Sequence, residues 1–186
     1  MVVTPGNDAS MPAPRLPRFT NAVRLWTCVD GAWVSHFTLR EFANPAGLCV
    51  VHPCLLESLE RTRADLSRQY GHEVLLLITD ATRTPEDNQR LAARLGWTDQ
   101  GGWVARDSRH LAHYGGIAVD LRARLASGEP VPPDRLAGVC RKHFDYVRAG
   151  YPDGHVHADN RARAASWSPP PLPAHGPSGS GPCPTR

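Results

Sequence analysis

The chain has 186 residues, of which 41% are hydrophobic and 21% charged, and its formal net charge is +3. This length suits one domain with a buried core, and the composition is that of a globular protein. No apolar run reaches about 18 residues, which excludes a transmembrane helix. The mild positive charge is not gathered into a Lys/Arg stripe, which argues against nucleic-acid binding. The five cysteines form no C-x-x-C pair and are expected to be free thiols.

Both ends of the chain are expected to be disordered. Residues 1–18 include four prolines and no periodic apolar pattern, and residues 164–186 form a Pro/Gly/Ser-rich tail. The folded domain is therefore predicted to span 19–163. The N-terminus also lacks the apolar segment of a secretory signal, so synthesis in the cytoplasm is expected.

Hydrophobic spacing and turn residues predict three helices and three strands within this span. In chain order they are a helix over 54–70, a strand over 73–79, a helix over 85–95, a strand over 117–121, a helix over 133–147 and a strand over 154–159. Helices that precede and separate a few strands favour an α+β fold: a small single domain with an antiparallel sheet and flanking helices.

Two clusters of polar residues stand out, at 108–120 (SRHLAHYGGIAVD) and at 153–161 (DGHVHADNR). Asp120 interrupts an otherwise apolar strand, and a buried carboxylate must be paired or bound to a cation. His155 and His157 are two residues apart on a predicted strand, so their side chains point to the same face. Imidazole and carboxylate are the ligands that catalytic zinc uses, so the two clusters together indicate a zinc site.

The order S-x-H, G-x-A-x-D and H-x-H-x-D in these clusters resembles the zinc D-alanyl-D-alanine peptidases of family M15. That family includes peptidoglycan carboxypeptidases and phage endolysin endopeptidases, and it shares its fold with the hedgehog signalling domain. Residues 35–42 (SHFTLREF) and 77–88 (LITDATRTPEDN) are similar to two further family segments. The resemblance covers roughly residues 35–161.

The resemblance implies that His110, Asp120 and His157 hold the zinc ion. His113 is an alternative to His110, because His113 keeps the family's shortest spacing of seven residues to Asp120. His110 keeps the Ser-x-His pattern and is preferred.

The resemblance also places Arg83 where the family has an arginine that binds a carboxylate of the substrate. A planar, bidentate donor suits the C-terminus of a peptide or a D-Glu side chain. An ion pair between Arg83 and Glu86 or Asp87 is the structural alternative.

The general base is less evident, because Gly154 stands where several branches of the family carry an acid. Asp153 is preferred as the base, with His155 as a stabiliser of the transition state or an alternative base. A turn would explain Asp153 equally well. Asp159 is expected either to orient a ligand histidine or to pair with a nearby arginine.

These features predict a zinc-dependent peptidase that hydrolyses an amide bond in the peptidoglycan stem peptide. The bond is either D-Ala-D-Ala, cut by a carboxypeptidase, or L-Ala-D-Glu, cut by an endopeptidase. The resemblance further suggests a phage-derived monomer that reaches the wall through holin release or as part of a virion. The alternative is a non-catalytic zinc domain that binds peptidoglycan or a protein partner.

Overall fold

The computed structural model describes residues 23–167. In chain order their strands and helices are β1 (Arg24–Val29), β2 (Ala32–Thr38), α1 (Pro53–Tyr70), β3 (Val74–Asp80), α2 (Pro85–Leu95), β4 (Ala118–Leu125), α3 (Pro133–His143), β5 (Tyr146–Arg148), β6 (Val156–Asp159) and α4 (Arg163–Ser166). Strands β1 and β2 form a hairpin, and the other four form an antiparallel sheet in the order β3-β4-β6-β5. The α+β prediction is confirmed.

The two long helices that flank β3 begin and end at residues that the sequence marks. Helix α1 starts with Pro53 and ends at Gly71, which adopts a left-handed conformation. Helix α2 follows Thr84, whose side chain accepts a hydrogen bond from the backbone of Asp87 while the Asp87 carboxylate accepts one from Thr84. This capping box and the proline that follows Thr84 explain why α2 begins at the predicted residue, and Gly96 follows its last residue.

The hydrophobic core lies between one face of the four-stranded sheet and the helices α1 and α3. Side chains of β4 and β6 alternate, so Leu121, Val156 and Ala158 enter this core. Asn160, at the end of β6, donates hydrogen bonds to the Cys54 carbonyl and the Ser58 hydroxyl of α1, both at 3.0 Å. The opposite face of the same strands is left for polar side chains.

Three parts of the fold differ from the sequence prediction. Strand β4 extends to Leu125, because exposed Arg122 and Arg124 alternate with buried residues of the core. The helix predicted over 133–147 ends at His143, and residues 146–148 instead form β5. Val147 packs against the core from β5, and its apolar character fitted a continued helix as well as a strand. The β1–β2 hairpin was not predicted.

Several sequence predictions concern residues at the two ends. The predicted arm 1–18 lies outside the described residues, as does most of the predicted tail 164–186, although α4 includes residues 164–166. Cys49, Cys54 and Cys140 are free thiols. The free-thiol prediction is wrong for Cys28, which is disulfide-bonded. Among residues 23–167, no helix has the length and apolar character that crossing a bilayer requires.

Candidate metal centre

Strand pairing places a row of polar residues across the open face of the sheet. Asp120 of β4 lies opposite His157 of β6, so their side chains share one face. A bulge between Ile78 and Asp80 places Asp80, rather than the residue before it, opposite Asp120. Asp80 was not predicted as a site residue. The signal in the sequence is a carboxylate at the end of an apolar strand.

His110 reaches this row from the loop that precedes β4. The backbone N–H of Arg83 donates to the His110 carbonyl at 2.8 Å, and the N–H of Ala112 donates to the Arg83 carbonyl at 2.9 Å. Nδ1 of the His110 ring donates to the Ala81 carbonyl at 2.9 Å. Only 2% of His110 is exposed. The loop is therefore clamped to the chain that follows β3, and the His110 ring has one orientation.

Gly116 lets the same loop enter β4 beside the segment that leads into α1. Its φ is 73°, and a Cβ atom there would lie 2.2 Å from the carbonyl oxygen of Val50. Its own carbonyl accepts a hydrogen bond from His52 at 2.9 Å. A side chain at position 116 would push the loop away, which explains the glycine of the G-x-A-x-D pattern.

Three ligand-type atoms converge in a buried group formed by His110, Asp120 and His157. Nε2 of His110 lies 3.0 Å from Oδ1 of Asp120. Nδ1 of His157 lies 2.9 Å from the same oxygen and 3.1 Å from Nε2 of His110. The three atoms form a nearly equilateral triangle. Each ring nitrogen carries at most one hydrogen, and that hydrogen points in one direction. The three short distances therefore cannot all be hydrogen bonds at the same time.

Each histidine of the triangle uses its other ring nitrogen to bond an outer acceptor. Nδ1 of His110 faces the Ala81 carbonyl, and Nε2 of His157 lies 3.2 Å from Oδ2 of Asp159. These acceptors require a proton on the nitrogens that face them. In a neutral imidazole the other nitrogen then carries a lone pair, so both nitrogens of the triangle are acceptors. Three electron-rich atoms then meet without a donor, unless one of the imidazoles takes up a proton.

This group favours a positive charge. Burial lowers the pKa of His157, but the carboxylates of Asp120 and Asp159 outweigh burial and raise that pKa to about 9. Burial also opposes ionisation of Asp120, yet His110 and His157 hold its pKa well below the usual range. Asp159 additionally pairs with Arg161 at 2.6 Å, so it fills both of its expected roles. A divalent cation would replace the proton that His157 otherwise takes up.

The size and chemistry of the triangle fit such a cation. Its corners lie about 1.7 Å from its centre, so one ion at the usual zinc–ligand distance of about 2.0–2.2 Å would contact all three atoms. Two imidazole nitrogens and one carboxylate oxygen are a donor set that catalytic metal sites use. Outer acceptors of the kind seen here orient metal-binding imidazoles. The structure thus contains a buried His/Asp group that could hold a metal ion.

His113, the alternative to His110, lies elsewhere. It is exposed, and its ring packs against Tyr114 with the ring centroids 4.3 Å apart. The structure therefore places His110, and not His113, beside Asp120 and His157.

Arg83 is buried against protein acceptors. Its Nε donates to Oδ2 of Asp80 at 3.0 Å, and its Nη2 donates to Oδ2 of Asp120 at 3.1 Å. Its Nη1 donates to the hydroxyl of Ser108 at 3.3 Å and, more weakly, to the side chain of Asn88 at 3.5 Å. The ion pairs are with Asp80 and Asp120 rather than with the acids in the first turn of α2. Arg83 therefore fixes the Asp120 carboxylate in the triangle.

Asp153 and His155 form a pair beside the triangle. Nδ1 of His155 donates to Oδ1 of Asp153 at 2.6 Å, while Nε2 of His155 lies 3.8 Å from Oδ2 of Asp120. The side chain of Asp153 is 57% exposed and also pairs with Arg122. Burial opposes its ionisation, but the bond to His155 lowers its pKa overall. His155 is thus the member of the pair that faces the triangle, and Asp153 sets its tautomer.

An aromatic wall that the sequence did not predict stands beside His155. The Tyr151 ring stacks on the His155 ring with centroids 4.0 Å apart, and Trp103 packs against Tyr151 at 5.4 Å. The guanidinium of Arg148 lies 5.0 Å from the Tyr151 ring centre and 5.4 Å from that of Trp103. Residues 146–148 alternate between polar and apolar, which is typical of a strand. The helix predicted over 133–147 included most of this segment, so the position of Arg148 beside these rings was not predicted.

A scan of known protein families and a search of curated proteins each gave no match for this chain.

Proposed function

We propose that this chain is a zinc-dependent peptidase that hydrolyses an amide bond in the peptidoglycan stem peptide, either as a D-Ala-D-Ala carboxypeptidase or as an L-Ala-D-Glu endopeptidase. The observation that carries the proposal is the triangle of His110, Asp120 and His157. The resemblance of the surrounding motifs to the zinc D-alanyl-D-alanine peptidases supplies the substrate class. That resemblance also suggests a phage-derived monomer that meets the wall after holin release or within a virion.

Zinc is proposed because the donor set combines two imidazoles with one carboxylate. Magnesium and calcium prefer oxygen ligands, whereas imidazole nitrogen favours zinc and related transition metals. A zinc ion held by His110, Asp120 and His157 would polarise the scissile carbonyl and make water nucleophilic near neutral pH. Arg83 keeps the Asp120 carboxylate in place, and Asp159 keeps the His157 ring in place.

His155 is the proposed general base, with Asp153 as the residue that positions it. Nε2 of His155 faces Asp120 and takes a proton from the attacking water as the C–O bond forms. The same nitrogen then returns the proton to the leaving amine as the C–N bond breaks. Asp153 accepts the Nδ1–H hydrogen bond, which leaves Nε2 unprotonated before the reaction and stabilises the imidazolium afterwards.

A second candidate is a non-catalytic zinc domain that binds peptidoglycan or a protein partner. The observation that favours it is Gly154, which stands where several branches of the resembling family have an acid. Asp153, which directly precedes Gly154 in the sequence, has a largely exposed side chain. The two candidates differ in one outcome, which is turnover.

Digestion of purified peptidoglycan tests the proposal, with mass spectrometry of the released products. The zinc-loaded native chain should release free D-Ala if it is a carboxypeptidase, or peptides if it is an endopeptidase. The His157→Ala variant should release neither, and His113→Ala should match the native chain because His113 is exposed. The masses identify the bond that is cut. Zinc retention without cleavage of walls of several chemotypes would favour the binding domain and reject the peptidase.

A further inference from the structure

The inference concerns the residue that binds the substrate's carboxylate, and it rests on the proposed function. The resemblance assigns this role to Arg83. In the structure the Arg83 side chain is only 10% exposed and donates to four protein acceptors, two of them carboxylates. An arginine has five N–H donors, so Arg83 has little capacity left for a substrate. A carboxylate of the substrate therefore needs another cation.

Arg148 is placed on the open face beside the triangle. It lies directly opposite His157 in the pairing of β5 with β6, just as Asp120 lies opposite His157 on the other side. Residues that are opposite each other on neighbouring strands have Cβ atoms about 4.5–5.5 Å apart and share a face. The row across the sheet is therefore Asp80, Asp120, His157 and Arg148, with the cation at the β5 edge.

The Arg148 side chain is exposed, and its contacts are with aromatic rings. Its guanidinium lies over Tyr151 and Trp103, and Tyr151 stacks on His155. Within residues 23–167, no carboxylate lies within ion-pair distance of Arg148. Stacking on rings leaves the edge of a guanidinium, with its N–H groups, available for a bidentate partner.

We propose that Arg148, held over Tyr151 and Trp103, binds a carboxylate of the peptide substrate and positions the scissile bond against the triangle and His155. The ligand chemistry is a free carboxylate. It belongs either to the C-terminal D-Ala or to the D-Glu residue of the stem peptide. The first source accompanies cleavage of D-Ala-D-Ala, and the second accompanies cleavage of the L-Ala-D-Glu bond.

The test compares three synthetic peptides by calorimetry on the metal-free full chain and by KM and kcat on the zinc-loaded chain. One peptide is L-Ala-D-Glu-L-Lys-D-Ala-D-Ala, in which the carboxylate of the D-Glu residue and that of the C-terminal D-Ala are both free. The second has a C-terminal carboxamide, and the third has D-isoglutamine in place of D-Glu. The variants are Arg148→Gln and Arg148→Lys. Arg124→Gln is the matched control, since Arg124 is likewise an exposed arginine but lies on β4.

In the native chain, one of the two amidations should weaken binding about 10- to 100-fold, the range expected for loss of a charge-assisted hydrogen bond. The amidation that matters identifies the source of the carboxylate. Arg148→Gln should weaken binding of the free peptide by a similar factor, raise KM more than it lowers kcat, and abolish the preference for the free acid. Arg148→Lys should be intermediate, and Arg124→Gln should match the native chain.

The preference between acid and amide is a ratio, so it does not depend on the fraction of the variant that folds. Retention of the native preference in Arg148→Gln would overturn the inference, as would a native chain that ignores both amidations. The proposed function fails separately, through the absence of cleavage by the native zinc-loaded chain. The calorimetric comparison is still readable in that case, because it requires no turnover.

Discussion

Replacing Arg83 with methionine removes the guanidinium but keeps an unbranched chain in place of the aliphatic part of the arginine. Arg83 donates to Asp80 and Asp120 at 3.0 and 3.1 Å, in a place where 10% of the Asp120 side chain is exposed. Removing one partner of a buried ion pair costs about 3–5 kcal/mol, because the remaining charge stays buried and uncompensated. We therefore expect the metal-free chain to lose about 3–5 kcal/mol of unfolding free energy, the low end applying if water reaches Asp80.

Urea unfolding of the native chain and Arg83→Met, each with and without zinc, measures this loss. Zinc should recover part of it, because the ion supplies positive charge to Asp120 by binding the folded state. Arg94→Met is the control, since Arg94 is exposed in the last turn of α2, and its effect should stay within about 0.5 kcal/mol. A loss below about 1 kcal/mol in metal-free Arg83→Met would refute the assignment of Arg83 as the support of Asp120.

Three further predictions concern the α2 cap, the outer acceptor of the site and the base. Burial opposes ionisation of Asp87, but hydrogen bonds from Thr84 and neighbouring side chains outweigh it and lower its pKa from 3.8 to about 2. The native chain should therefore lose about 1–2 kcal/mol of unfolding free energy as the pH falls through this interval. Acid titration of Asp87→Asn should lack that loss. Asp159→Ala should weaken zinc binding about 10- to 100-fold in a competition titration, because His157 loses its outer acceptor, and native affinity would contradict this role. His155→Gln should retain zinc but lower kcat about 10²- to 10⁴-fold, and an unchanged kcat would remove His155 as the base.

The candidate metal-binding group was predicted from two kinds of signal, local breaks in the sequence pattern and the resemblance to the zinc peptidases. Asp120 interrupts an apolar strand, and His157 lies two residues from His155 on another strand. Once Asp120 and His157 are opposite each other in the sheet, the triangle needs only His110 from the adjacent loop. The local signals indicated a zinc site, whereas the choice of His110 over His113 and of His157 over His155 came from the resemblance to the zinc peptidases.

The surroundings of the group were not predictable in the same way. Arg83 contacts both Asp80 and Asp120. These two residues lie opposite each other because a bulge in β3 shifts the pairing with β4 by one residue, and such a shift is a property of two distant segments. Arg148 reaches the site because residues 146–148 form a short edge strand, whereas their apolar spacing also continued that of α3. The contacts of Arg83 and the position of Arg148 thus both depend on strand pairing between distant segments, which local sequence patterns do not reveal.

The most direct test of the account is the zinc content of the purified chain, by mass spectrometry of the metal, for the native protein, Asp120→Ala and His113→Ala. We expect about one zinc ion per native chain and per His113→Ala chain, and loss of zinc in Asp120→Ala. Circular dichroism checks that each variant is folded. A native chain that binds no zinc, or an Asp120→Ala chain that binds it as tightly as the native chain, would contradict the metal site and the function proposed from it.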